Sequence, residues 1–292
     1  LGERAESAPA QALGLCMKEP IFAFIGGGNM GRCLVGGLIG DGHPCERLRV
    51  SDPDPERLQV LRECFGVWTG NDNRSAIAGA DVVILAVKPQ VVRAVVEDMA
   101  ETLRAQGPLV LSIVAGLSTG VLRRWIGPEV PIVRAMPNTP ALVRSGAAAL
   151  YAEAGSVGPL HRDSAESILR AVGSTVWIEE EALMDTVTAL SGSGPAYFFL
   201  LIELIERAGV SMGLAPESAR LLTLQTAFGA AKMALESATP AAALRAQVTS
   251  PGGTTERAIK TFQDCGIESM VTQALRAAEA RSKELGACLG ES

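Results

Sequence analysis

The sequence predicts a doubly wound, mainly parallel α/β sheet followed by an all-helical half, and three observations carry that expectation. Short apolar or β-branched runs alternate with helical periods from Ile21 to Ile178, the pattern of a parallel sheet covered on both faces. From Glu179 to Ser292 no run reads as a strand, and helical periodicity takes over. At the head of the first half an apolar run breaks into Gly26-x-Gly28-x-x-Gly31 and passes directly into a helix.

Taken in order, Ile21 to Ile25 has the length of one buried strand. Each glycine after it has a physical job in a dinucleotide site. Gly26 allows the tight turn, Gly28 lets the backbone approach a pyrophosphate, and Gly31 lets the next helix pack closely on the sheet. That helix, Asn29 to Ile39, offers its first N–H groups and its dipole to an anion. A glycine-rich turn with no ligand is the plainer alternative; the strand before and the helix after argue against it. Arg47 to Asp52 reads as a second strand, stopped by Pro53 and Pro55, with a helix over Glu56 to Phe65. Asp81 to Val87 is a near-continuous β-branched run that ends at Lys88-Pro89, and Gln90 to Gln106 is helical. Leu109 to Val114 is another buried strand, followed by Ala115-Gly116-Leu117-Ser118 and a short helix to Trp125. Pro131 to Arg134 leads into Met136-Pro137-Asn138-Thr139-Pro140, and Gly146 to Tyr151 and Thr175 to Ile178 flank a helix holding Ala165 to Val172.

In the second half, helices fit Pro195 to Ala208, Pro216 to Ser237, Thr254 to Cys265 and Glu268 to Gly286. Pro195 and Pro216 sit where a first helical turn tolerates them. In the last helix Val271, Leu275, Ala278, Ser282 and Leu285 share one face, and Glu279 and Lys283 pair at i, i+4. Leu221 to Ala234 is apolar or small on nearly every side, so it needs partners all round, and dimerisation through this half is expected.

Composition narrows the function classes. A chain of 292 residues with 48% hydrophobic and 20% charged content is globular and long enough for two domains. A formal net charge of −6 without a basic stripe argues against nucleic acid. Six cysteines without a Cys-x-x-Cys pair, and only His43 and His161 besides, give no zinc spacing; free thiols in a reducing cytosol are the simplest reading. Residues 1–20 read as a flexible extension without the marks of a signal peptide, with translation starting at Met17 as one expectation. The apolar run Ala196 to Ile205 is interrupted by Glu203 and is too short to span a bilayer.

Ligands of open α/β sheets bind outside the carboxyl ends of the strands. Three loops fall there: Gly26 to Gly31, Lys88-Pro89-Gln90, and Met136 to Pro140. Lys88 reads as a catalytic acid, a backbone contact to cofactor, or a solvated strand end; Asn138 reads as a site residue or a turn-former. Two glycine-rich breaks mark the helical half: Leu190-Ser-Gly-Ser-Gly-Pro-Ala-Tyr197 and Ser250-Pro-Gly-Gly-Thr-Thr255. Each is expected to present free N–H groups at a helix start that could hold a carboxylate, with simple N-capping by Ser and Thr as the alternative. No Ser–His–Asp arrangement is plausible, and no lysine lies between Lys88 and Lys232 to serve as an acid early in the helical half.

These motifs together resemble the pyrroline-5-carboxylate reductase family. The residues that carry the resemblance are Phe24 to Gly31, Leu85 to Gln90, Arg134 to Pro140, Ala189 to Tyr197 and Val248 to Thr255. It implies a Rossmann-type dinucleotide-binding domain over 21–178 and an all-helical dimerisation and substrate domain over 179–292, with the active site between subunits. It further implies reduction of 1-pyrroline-5-carboxylate to L-proline by NADPH or NADH in a cytoplasmic homodimer or higher homo-oligomer. Thr255 corresponds to the family's threonine near the substrate ring, Gly253, Thr254 and Thr255 to its carboxylate-binding amides, and Ser250 to its substrate-contacting serine. The cofactor is expected on Gly26, Gly28, Asn29, Met30, Gly31, Ser51, Asp52, Ala86, Val87, Lys88, Pro89 and Asn138, with no metal. Asp52 stands at the spacing where an acid accepts hydrogen bonds from the adenosine ribose, which favours NADH; capping of the Pro53–Pro55 turn is its alternative. Ser51 and Arg57 are expected to accommodate the 2′-phosphate of NADPH, so both cofactors are expected to serve. A related imine or hydroxyacid oxidoreductase, and a catalytically silent nucleotide sensor, are the competing readings.

Overall fold

The computed structural model describes residues 19–291; apart from Glu19 and Pro20, the expectations for the extension 1–20 lie outside the described residues. Eight strands among them form one sheet: β1 (Phe22–Ile25), β2 (Leu48–Ser51), β3 (Trp68–Gly70), β4 (Val82–Leu85), β5 (Leu109–Ser112), β6 (Ile132–Met136), β7 (Gly146–Tyr151) and β8 (Gly173–Trp177). Their order is β3-β2-β1-β4-β5-β6-β7-β8, parallel except where β6 meets β7. The switch in strand order falls between β1 and β4, the place where such sheets open a crevice.

Strand alternation builds two cores. Phe22, Phe24, Val82, Ile84, Leu109 and Leu111 face one side, packed under α1 (Asn29–Gly40), α2 (Pro55–Phe65) and α6 (Pro159–Arg170). Ala23, Ile25, Val83, Leu85 and Val110 face the other, under α3 (Asn73–Ile77), α4 (Pro89–Gln106) and α5 (Thr119–Ile126). Local chemistry sets the helix ends: Asp54 accepts from the Glu56 and Arg57 N–H groups ahead of Pro55, and Gly66 closes α2 at φ 67°. The three-residue β3 and five-residue α3 were not anticipated, because neither is long enough to show a period.

Beyond β8 the described chain is helical: α7 (Leu183–Val187), a π-helical turn over Thr188–Gly192, α8 (Gly194–Ser211), α9 (Pro216–Glu236), α10 (Ala241–Gln247), α11 (Thr254–Asp264) and α12 (Ile267–Glu291). One expectation is corrected here. Leu190 to Tyr197 is not a break that starts a helix; helical backbone runs through it, with Ser193 in the right-handed helical region and its N–H bonded to the Thr188 carbonyl at 2.8 Å. The apolar run Ala196 to Ile205 lies inside the continuous helix Leu183–Ser211, 29 residues long, an 18-residue stretch of which has a mean hydropathy of 1.3. The short α10 was not anticipated either.

Helix α8 packs on α9, and both stay largely uncovered within the chain. Phe198, Phe199, Leu221, Leu222 and Phe228 each expose more than half of their surface. Helix α12 returns to the sheet: Leu289 packs against the second core, and Gly286 lies so close to Gly116 that an added Cβ would meet the Gly116 carbonyl oxygen at 3.0 Å. Ser282 donates to Asp185 at 2.6 Å and Thr186 to Glu279 at 3.1 Å, tying α12 to α7. On the face expected to be apolar, Ser282 is buried, Leu275 and Ala278 are half-buried, and Val271 and Leu285 are exposed. Glu279 and Lys283 pair at 2.8 Å as expected.

Candidate active site

The glycine loop leaves β1 at the crevice. Gly26 holds φ 107°, and a methyl there would meet the Ala86 carbonyl oxygen at 2.5 Å. A methyl on Gly31 would collide with the Gly26 carbonyl oxygen, so both outer glycines are filled against the chain itself. Gly28 differs. It caps α1 with extended backbone and no side-chain cap, and an added Cβ there would meet nothing within 4 Å. The N–H groups of the first turn of α1 have no acceptor inside the helix, so the loop forms an open cradle with the donor set and dipole a pyrophosphate needs. Asn29 is exposed at this edge, and Met30 packs partly against the first core.

Ala86 and Val87 follow β4 half-buried, with the Ala86 N–H donating to Ile25 at 2.8 Å, so this segment borders the same cradle. Lys88 is exposed and caps α4, and Pro89 occupies its first turn. At the end of β2, buried Ser51 donates to Asn73 Oδ1 at 2.7 Å. Asn73 was not singled out from sequence, because the short helix it opens gives no periodic signal. Asp52 is only 3% exposed. Its Oδ2 accepts from the Gly27 N–H at 2.7 Å, its Oδ1 accepts from the Asp54 N–H at 2.9 Å, and Arg57 Nη1 lies 3.6 Å from Oδ2. Arg57 also reaches Asp54 at 3.1 Å. The carboxylate is therefore directed into the glycine loop and the Pro53–Pro55 turn, with Arg57 over it.

Asn138 is buried, with both ends of its amide engaged. Its Nδ2 donates to the Ser191 carbonyl at 3.0 Å and its Oδ1 accepts from the Ala147 N–H at 2.9 Å. Nearby, Glu181 accepts from the Thr119 N–H at 2.7 Å, from Thr119 Oγ1 at 2.8 Å and from Arg134 Nη1 at 3.1 Å. This bridge between β6, α5 and the helical half had no sequence signal, since its three residues stand far apart in the chain. Burial raises the Tyr151 phenol above its usual range, and the Glu181 and Glu153 carboxylates push it the same way. A cavity of about 620 Å³ lies beside the carboxyl ends of β4 and β5, walled by Pro89, Gln90 and Ala115 from the sheet side and by Thr188, Ser193 and Leu285 from the helical side.

The other candidates sit on the helical half. Gly253 caps α11 with extended backbone and no side-chain cap. Gly252, at φ 72°, donates its N–H to Glu256 at 2.7 Å, and the Gly253 N–H donates to the Ser250 carbonyl at 3.0 Å. Ser250, Thr254 and Thr255 are exposed, and no hydrogen bond among the described residues uses their hydroxyls, so they do not serve as caps. Among the described residues the main packing of α11 is against α12. Among the described residues no group of three or more His, Cys, Asp or Glu could hold a metal.

Two family models match the chain: "NADP oxidoreductase coenzyme F420-dependent" over residues 21–116 and "Pyrroline-5-carboxylate reductase dimerisation" over residues 181–285. A pyrroline-5-carboxylate reductase of Pseudomonas aeruginosa is 49% identical over 275 residues, covering 94% of this chain and all of the relative. The solved structure of a pyrroline-5-carboxylate reductase from Coxiella burnetii superposes with a TM-score of 0.88 at 44% identity, covering 92% of this chain and 99% of that one. The Plasmodium falciparum pyrroline carboxylate reductase, solved with NADP bound, superposes with a TM-score of 0.81 at 31% identity, covering 92% of this chain and 99% of that one.

Proposed function

Because the chain belongs to the pyrroline-5-carboxylate reductase family, we propose that its glycine loop holds the nucleotide and its Ser250–Thr255 turn holds the imine substrate. The activity is the NAD(P)H-dependent reduction of 1-pyrroline-5-carboxylate to L-proline, the last step of proline biosynthesis. The chain works as a homo-oligomer built through its helical half. The exposed Phe198, Phe199, Leu221 and Phe228 are the surface that a second copy covers.

NAD(P)H, when bound, supplies the hydride that turns the C=N bond of the substrate into a C–N single bond. Gly28 and the first N–H groups of α1 take the pyrophosphate, while Ala86, Val87 and Pro89 border the same nucleotide. The Thr254 and Thr255 amides anchor the substrate carboxylate at the start of α11, whereas the Gly253 N–H, expected to join them, is already given to the Ser250 carbonyl, and Ser250 contacts the substrate. The Thr255 hydroxyl hydrogen-bonds the ring nitrogen. A protonated cyclic imine already carries the charge that draws hydride, so orientation replaces a strong acid. The observation that carries this reading is the α11 start: its cap uses no side chain, and its hydroxyls stand exposed and unspent. The main packing partner of α11 is α12, which supports a substrate turn that meets a nucleotide site across the subunit interface. Domains over 21–178 and 179–292 agree with the last strand ending at Trp177 and α7 beginning at Leu183. The cytoplasm suits the unbridged thiols of Cys33, Cys45, Cys64 and Cys265.

The test is oxidation of NADPH and of NADH by the purified enzyme with 1-pyrroline-5-carboxylate, against a panel of hydroxyacids and acyclic imines. Turnover confined to the panel would sink the reading.

A further inference from the structure

The π-helical turn Thr188–Gly192 disturbs the usual helical pairing, and its consequences reach across the molecule. In an α-helix the Ala189 carbonyl accepts from the N–H of residue 193, but the Ser193 N–H goes to Thr188 instead. The Ser191 carbonyl would accept from residue 195, which is Pro195 and has no N–H. Side chains reach both carbonyls: Tyr197 Oη donates to Ala189 at 3.1 Å, and Asn138 Nδ2 donates to Ser191 at 3.0 Å. Asn138 stands just after β6, and its other amide end holds the Ala147 N–H at the start of β7. Beside this contact a methyl on Gly192 would meet Met136 Cε, the flexible end of that side chain, at 2.5 Å and would push it aside. Met136-Pro137-Asn138 and Ser191 to Pro195 are thus complementary surfaces. Thr188, which opens the turn, and Ser193, which follows it, form part of the helical wall of the cavity whose other wall is Pro89, Gln90 and Ala115.

We propose that Asn138 is a positioning residue that pins the π-turn of the helical half to the end of β6, and so fixes the cavity wall formed by Thr188 and Ser193 beside the nucleotide loops. It acts through Ser191, not by touching the cofactor. The inference rests on the functional reading above for its kinetic arm, whereas its binding and thermal arms do not.

The experiment uses the full-length enzyme. Asn138→Asp keeps an acceptor for Ala147 but loses the donor to Ser191, and Asn138→Ala loses both. Each is expected to lower kcat with pyrroline-5-carboxylate at least about ten-fold while the Kd for NADPH, read by fluorescence titration, stays within about two-fold. Pro195→Ala in the Asn138→Ala background gives Ser191 a backbone donor; it is expected to restore Tm but not kcat. A ten-fold weaker Kd for NADPH with kcat intact makes Asn138 a cofactor ligand and overturns the proposal. Recovery of kcat together with Tm in the double variant reduces Asn138 to carbonyl satisfaction and also overturns it. Should the Asn138 variants fail to fold, Gly192→Ala must show the same loss of kcat at constant Kd, relieved by Met136→Ala; unchanged turnover there overturns the pin. If the wild type does not turn over pyrroline-5-carboxylate, the functional reading fails. The pin is then judged by Tm alone: Asn138→Ala must lower it and Pro195→Ala must restore it.

Discussion

The Gly27 N–H donates to the buried carboxylate of Asp52 at 2.7 Å, which makes the acid at the end of β2 a part of the glycine loop. Its second oxygen is held by the Asp54 N–H at 2.9 Å, and Arg57 covers the pair. A charge-assisted hydrogen bond of this kind contributes about 1.5–3 kcal/mol, and its loss loosens the whole loop. Asp52→Ser should therefore raise KM for NADH and NADPH together, by about ten-fold, with the ratio of their kcat/KM values changed less than about two-fold. Steady-state kinetics with both cofactors decide it. A several-fold shift toward NADPH with unchanged KM for NADH would return Asp52 to the ribose-binding role that its spacing suggests.

Gly26 and Gly28 should part company under substitution. Gly28→Val puts a side chain into open space, so the protein should keep its Tm while losing measurable NADPH binding. Gly26→Val meets both a φ of 107° and the Ala86 carbonyl, and should lower Tm outright. Thermal scans paired with fluorescence titration separate the two; nucleotide binding retained by Gly28→Val would remove the cradle from the site.

Thr255→Val keeps the shape of the side chain and deletes a hydroxyl that no hydrogen bond among the described residues uses. We expect kcat to fall by about ten-fold or more with NADPH affinity and Tm unchanged. Turnover equal to the wild type would take Thr255 out of the mechanism.

Much of this was legible because its causes are local. The turn at Gly26, the open approach at Gly28 and the helix contact at Gly31 each demand glycine for a reason visible within six residues. The alternation Phe22–Phe24 against Ala23–Ile25 likewise announces a strand buried on both faces. What escaped has distant causes. Helical backbone passes through Gly192, Ser193, Gly194 and Pro195, and the donor that replaces the N–H missing at Pro195 comes from Asn138, 53 residues before Ser191. Spacing placed Asp52 at the right strand end but could not say that its carboxylate turns inward toward Gly27. Thr119, Arg134 and Glu181 carry no shared motif, and only the fold brings them together.

That last cluster gives a stability prediction of its own. Arg134 is nearly enclosed, with 7% of its side chain exposed, and Glu181 keeps 23%. Removing one member of a buried pair leaves an uncompensated charge, at about 3–5 kcal/mol when burial is complete. With Glu181 still partly wetted, Glu181→Gln should cost on the order of 2–3 kcal/mol. At roughly 2–4 °C per kcal/mol for a domain of this size, Tm should fall by about 5–10 °C. Arg134→Met should do comparable damage, since Glu181 then keeps only its two bonds from Thr119. The double variant Arg134→Met/Glu181→Met removes both charges and should be less destabilised than the sum of Arg134→Met and Glu181→Met by at least about 1 kcal/mol. Full recovery is not expected, because the Thr119 N–H loses its acceptor as well. Calorimetry on the four proteins closes the cycle: strictly additive losses would mean that Arg134 and Glu181 do not act as a pair, and that Thr119 alone fastens the helical half to α5.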